Sequence, residues 1–96
     1  MKSLPLVALL GFLVASCTPN VRVVDENGAP IENARIIPAA RSLTYPPVAT
    51  DEKGEAFVRQ DMPTIEYLHV FMTGFEPARD INYGLPKPIQ VVLKGQ

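Results

Sequence analysis

The side chains able to do covalent or acid–base chemistry are few. The 96-residue chain has one cysteine, Cys17, and one histidine, His69. A zinc-type centre draws about four ligands from Cys, His and carboxylate, so a lone imidazole has no partner to build one with. The serines are Ser3, Ser16 and Ser42, too few for a Ser-His-Asp arrangement with any spacing signal. There is no glycine-rich phosphate loop. Asp25-Glu26-Asn27-Gly28 and Asp51-Glu52-Lys53-Gly54 concentrate carboxylates, and calcium wants about six to eight oxygens. Neither run has an EF-hand spacing, and turn chemistry explains both: Asp caps the first position and Gly takes a positive φ. No catalytic residue, metal or cofactor is assigned, and the chain is expected not to be an enzyme.

The position of Cys17 carries more than its reactivity. Lys2 gives a positive start, and Leu4 to Val14 give an apolar stretch of 11 residues, inside the roughly 7–15 of a signal peptide. A membrane-spanning helix needs about 20. Leu13-Val14-Ala15-Ser16-Cys17 closes the stretch and resembles the lipobox of bacterial lipoprotein signals, with Val14 where Leu is commonest. The resemblance implies that residues 1–16 are removed, that Cys17 is acylated, and that residues 17–19 form a short tether to a domain over 20–96. Two or more acyl chains anchor stably where one does not. Thr18 stands where an Asp favours inner-membrane retention in Gram-negative lipoproteins, so the resemblance implies the outer membrane, facing the periplasm. The competing reading is a plain secreted protein cleaved after Ala15-Ser16.

Composition narrows the partners. Formal charge is −1, and loss of Lys2 would leave eight basic residues against ten acidic ones. No basic stripe exists for nucleic acid. A domain this small buries only about 60% of its unfolded surface, and with Cys17 acylated no disulfide can reinforce it. Ten prolines, most in turns and loops, lower the entropy of the unfolded chain instead.

The elements that must position any site are short strands. Val21 to Asp25 is β-branched. Ile31 to Ala40 is expected to be a strand ending or bending at Pro38, at a sheet edge, because Asn33 and Pro38 oppose a helix. Arg41 to Pro47 is expected to be a loop and Val48 to Thr50 a short strand. Glu55 to Gln60 alternates, Asp61-Met62-Pro63-Thr64 breaks the chain, and Ile65 to Met72 is expected to be the longest clean strand. A strand after Pro77, a loop over Asn82 to Pro88, and Ile89 to Lys94 with Ile89, Val91 and Leu93 inward complete the list. About seven short strands without a helix argue an all-β, Greek-key β-sandwich.

In order, Val21-Arg22-Val23-Val24-Asp25, Asn27-Gly28-Ala29-Pro30-Ile31, Ala34-Arg35-Ile36, Thr50-Asp51-Glu52-Lys53-Gly54, Tyr67-Leu68-His69-Val70, Gly74-Phe75-Glu76-Pro77 and Val91-Val92-Leu93 resemble the carboxypeptidase regulatory-like domain. That family is a small transthyretin-like β-sandwich. The resemblance implies a non-catalytic accessory module for adhesion, carbohydrate contact or partner docking. The chain departs from it at Ala56, where members often place a large core residue. Phe57 is expected to lie on the outer surface with Glu55 and Arg59, since a one-residue slip would bury the charges.

One strand offers a candidate binding face. Tyr67, His69 and Phe71 alternate with Leu68, Val70 and Met72, and Phe57 would extend the face if its strand were a neighbour. The face is either a partly covered sheet surface or an aromatic contact surface. The leading expectation is a lipid-anchored envelope protein serving protein interaction or structural support. The alternative is a carbohydrate- or peptidoglycan-binding module on the aromatic face. A third is an accessory lipoprotein of a secretion system, since the outer-membrane lipoprotein of type VI secretion also has a transthyretin-like fold.

Overall fold

A computed structural model describes residues 18–41, 43–59 and 65–96. The leader over 1–16, the acylation position Cys17 and the break at 61–64 lie outside the described residues.

The described chain is all-β, without a helix, and forms eight strands in two sheets. They are β1 (Val21–Asp25), β2 (Arg35–Ala40), β3 (Leu43–Thr44), β4 (Val48–Ala49), β5 (Glu55–Ala56), β6 (Tyr67–Phe71), β7 (Ala78–Asn82) and β8 (Ile89–Leu93). The smaller sheet has the order β5-β1-β8; the larger runs β3-β2-β6-β7, with β4 also pairing β2. The strand beyond the expected seven is β3, which lies in the stretch expected to be a loop.

Alternation decides the core. β8 reads inward at Ile89, Val91 and Leu93, and β6 inward at Leu68 and Val70. Val21, Val23 and Ala56 from the smaller sheet, Val58 just beyond β5, and Ile36, Leu68 and Val70 from the larger sheet meet in one aliphatic cluster. β1 lies parallel to β8 over five residues, Val21 beside Ile89 through Asp25 beside Leu93. The first and last strands therefore close the small sheet side by side.

One expectation about strands is corrected. Pro38 neither ends β2 nor marks an edge: it is buried inside the strand, opposite Leu68, with β6 on one side and β3 and β4 on the other. The carbonyl of Pro38 accepts from Tyr45 N–H, whereas that of Ala39 accepts from Glu66 N–H on the β6 side. Pro38 thus turns its missing donor toward the gap between β3 and β4, where the chain passes through Tyr45-Pro46-Pro47. No ladder bond to β6 is lost, which is the condition for a proline inside a sheet.

The paired Asp-Glu-x-Gly runs fold alike. Asp25 Oδ1 accepts from Asn27 N–H and Ala29 N–H, and Asp51 Oδ1 accepts from Lys53 N–H and Glu55 N–H. Gly28 and Gly54 donate to the carbonyls of Asp25 and Asp51, with φ of 84° and 73°. Each aspartate stitches its own turn.

Buried polar side chains continue the ladders. Asn20 donates through Nδ2 to the Val58 carbonyl at 2.9 Å and accepts through Oδ1 from Val58 N–H at 2.8 Å. Its side-chain amide therefore stands in for a peptide unit and carries the β1–β5 pairing past Ala56, where backbone pairing stops. The Thr50 hydroxyl accepts from Ala34 N–H and donates to the Ile31 carbonyl. An unpaired buried backbone group costs about 1–3 kcal/mol, so both side chains remove a penalty as well as adding bonds.

Candidate functional site

The outer face of the larger sheet is set by register. Cross-strand pairing puts Arg35 beside Phe71, Ile37 beside His69 and Ala39 beside Tyr67. On the far side of β6, Asn82 lies beside Tyr67. Tyr67, His69 and Phe71 thus share one face, with Leu68 and Val70 pointing into the core. Tyr67 is 38% exposed, and His69 and Phe71 are half-buried.

Phe57 does not join them. It is 41% exposed and follows β5 in the other sheet, while its neighbours Ala56 and Val58 enter the shared core. Two sheets that share a core turn their outer sides apart, so Phe57 faces away from the Tyr67 face. The expectation that Phe57 is outward agrees with this position.

His69 has a local partner. Leu68 pairs with Ile81 and Val70 with Ala78, so Arg79 and Asp80 together oppose His69 in a β-bulge. Asp80 has a φ of 58°, and its N–H donates to His69 Nδ1 at 3.1 Å. A bulge leaves one residue outside the ladder, and here the imidazole takes up its donor. The neutral ring then carries its proton on Nε2. This role needs no second histidine, and nothing in the residue order reports it, because the extra residue is visible only once β6 and β7 are aligned.

Phe71 is the centre of the charged part of the face. The Arg79 guanidinium lies 5.0 Å from its ring centroid, within cation–π range. Arg35 flanks it from β2. Phe71 and Arg35 also line an open cleft of about 380 Å³ with Asn33, Met72, Phe75 and Pro77. Asn33 holds the left-handed conformation, with a φ of 65°. The far wall is fixed by main-chain bonds, Phe75 bridging Gly95 and Glu76 N–H reaching the Lys94 carbonyl. Sequence reasoning missed Arg35, Phe75 and the cleft itself, since they meet only when β2 pairs with β6.

The core contains no fully buried aromatic ring among the described residues. Tyr45, Phe57, Tyr67, Phe71, Phe75 and Tyr83 are all half-buried or exposed, and Val, Ile, Leu and Ala fill the centre. An aromatic ring buries roughly 150–250 Å² when it enters a core. This small domain leaves that stabilisation largely unused.

The Tyr83 hydroxyl is perturbed by its surroundings. Its oxygen is shut off from solvent with no hydrogen bond among the described residues. Burial pushes its pKa above the ordinary 10.0, and the Asn20 side chain, committed to Val58 and short of hydrogen-bond geometry, offsets only part of the rise. Lys87 lies over the ring, 4.3 Å from its centroid.

No family model matches the sequence, and no curated protein matches it.

Proposed function

We propose that the chain is a non-catalytic, lipid-anchored envelope protein whose larger sheet contacts a protein partner through its outer face. The observation that carries this reading is the placement of the aromatic rings. Apolar surface left outside a core is the material of contact surfaces; Tyr67 and Phe71 share one outer face, and Phe75, packed against the edge of the core, lines the cleft beside them. Asn20 and Thr50, the buried polar side chains among the described residues, hold backbone rather than facing a pocket. The two-sheet, all-β architecture and the ordered turn motifs support a transthyretin-like, Greek-key module of the carboxypeptidase regulatory-like kind.

The lipobox at Cys17 supports an anchor, and Asn20 is already locked into the fold three positions later. At about 3.3–3.6 Å per extended residue, the domain would ride roughly 10 Å from the lipid. Only partners at that surface would be in reach. In-membrane crosslinking of wild type, Cys17→Ser and Tyr67→Ala/Phe71→Ala tests both parts. The reading expects a defined set of crosslinked proteins that is lost in both variants. An identical set from all three would refute the anchored-face reading.

A second reading, a carbohydrate or peptidoglycan module, rests on Tyr67, His69 and Phe71 sharing the face. Glycan titration against wild type and Tyr67→Ala/Phe71→Ala separates the two. Saturable glycan binding that the double variant loses selects the second reading.

A further inference from the structure

We infer that the cleft beside Phe71 receives an acidic peptide segment, one carboxylate pairing with Arg35 and an adjacent apolar side chain resting on Phe71, Met72 and Phe75. The inference rests on the protein-contact reading above and names the chemistry of the contact.

Charge points to the carboxylate. Among the described residues that line the cleft, Gln96 included, Arg35 is the one charged side chain and none is Asp or Glu. The Arg35 side chain makes no hydrogen bond or ion pair with any described residue, whereas Arg79, on the other side of the ring, already stacks on Phe71. Phe71 therefore has one engaged guanidinium, that of Arg79, on its ring, and a second arginine, Arg35, beside it in register with no partner among the described residues. A free guanidinium presents a fork that matches a carboxylate in bidentate geometry.

Shape points to a peptide rather than a metabolite. Sites for small molecules enclose about 70–90% of the ligand surface. This cleft is open along its length, and its volume, about 380 Å³, is at the low end of the roughly 300–1,000 Å³ of such sites. It accommodates a side chain or two from a partner that remains mostly outside. The apolar part has walls on both sides, Phe71 and Met72 from the end of β6 and Phe75 and Pro77 beyond the Thr73-Gly74 turn. The turn is backed by main-chain bonds from Phe75 N–H to the Met72 carbonyl and from Gln96 N–H to the Gly74 carbonyl. The surface is thus preformed, which lowers the ordering cost of binding.

The test uses the full acylated chain in nanodiscs and labelled peptides of sequence acetyl-Gly-Leu-Glu-Leu-Gly-amide and its Gln counterpart. Amide chemical shifts report the location, and anisotropy the affinity. The Glu peptide is expected to shift the amides of residues 33–35 and 71–77. It should bind about tenfold more tightly than the Gln peptide, the scale of one charge-assisted contact at a partly exposed site. Arg35→Gln should erase the Glu–Gln difference while leaving the spectrum of the fold intact, and Arg79→Gln should largely retain it. Equal affinities in wild type, shifts centred near Phe57, or discrimination surviving Arg35→Gln would each overturn the inference. So would saturable binding of N-acetylmuramic acid at these amides with none of either peptide. Crosslinks lost in Tyr67→Ala/Phe71→Ala but unchanged in Arg35→Gln would leave the contact face standing and remove only its acidic chemistry.

Discussion

Gly54 and Val23 approach so closely that a methyl group on Gly54 would lie 2.4 Å from the Val23 carbonyl oxygen. The approach is productive, because Val23 N–H donates to the Gly54 carbonyl at 2.7 Å. Gly28, in the matching position of the other Asp-Glu-x-Gly turn, has nothing within 4 Å of such a methyl.

The two glycines should therefore respond differently to the same change. Gly28→Ala meets only the positive-φ penalty, about 1–2 kcal/mol. Gly54→Ala meets that penalty and a backbone clash, and should cost about 3 kcal/mol or more. Urea denaturation of the two variants measures the difference. Equal losses would show that the Val23 contact relaxes freely.

Asn20→Ala should cost about 2–4 kcal/mol, because it strands both the N–H and the carbonyl of Val58. Hydrogen exchange at the Val58 amide should accelerate more than global unfolding requires. Unchanged protection there would mean that the Asn20 amide is dispensable as a surrogate peptide.

Tyr83→Phe should leave stability unchanged or raise it by up to about 1 kcal/mol, since it deletes a buried hydroxyl that has no hydrogen bond. The pH dependence has a definite sign. The folded pKa is raised, so this contribution is intact below pH 10.0 and is lost as pH rises through the folded value. The wild type should lose stability in that alkaline window and Tyr83→Phe should lose less. Parallel alkaline curves would show that another group titrates there.

His69→Ala should cost about 0.5–1.5 kcal/mol, the scale of one net hydrogen bond. The loss should be local, with faster exchange at the Asp80 amide and shifted signals from Arg79 to Ile81. Silence at Asp80, with changes elsewhere, would show that the ring does not hold the bulge.

Much of this architecture is legible in residue order. The alternation of Ile89, Val91 and Leu93 and of Leu68 and Val70 marks the inner faces, because a strand has period two and one side must leave water. The Asp-Glu-x-Gly runs announce their turns through local hydrogen bonds. Pairing between distant strands is not local, and there the reading falls short. Pro38 looks like a terminator until β3 and β4 leave a gap opposite its ring. Arg35 looks like an ordinary surface charge until register sets it beside Phe71. Tyr67, His69 and Phe71 are found together because one strand carries them, whereas Phe57 is separated from them by a change of sheet that no periodicity reports.

The parallel pairing of β1 with β8 has a mechanical consequence. Tension between the start of β1 and the end of β8 pulls the two strands along their length in opposite directions. Their hydrogen bonds then resist together instead of parting one after another like a zip. If Cys17 fixes one end to a bilayer, load carried by β8 reaches the lipid through this ladder, Val21 against Ile89 to Asp25 against Leu93.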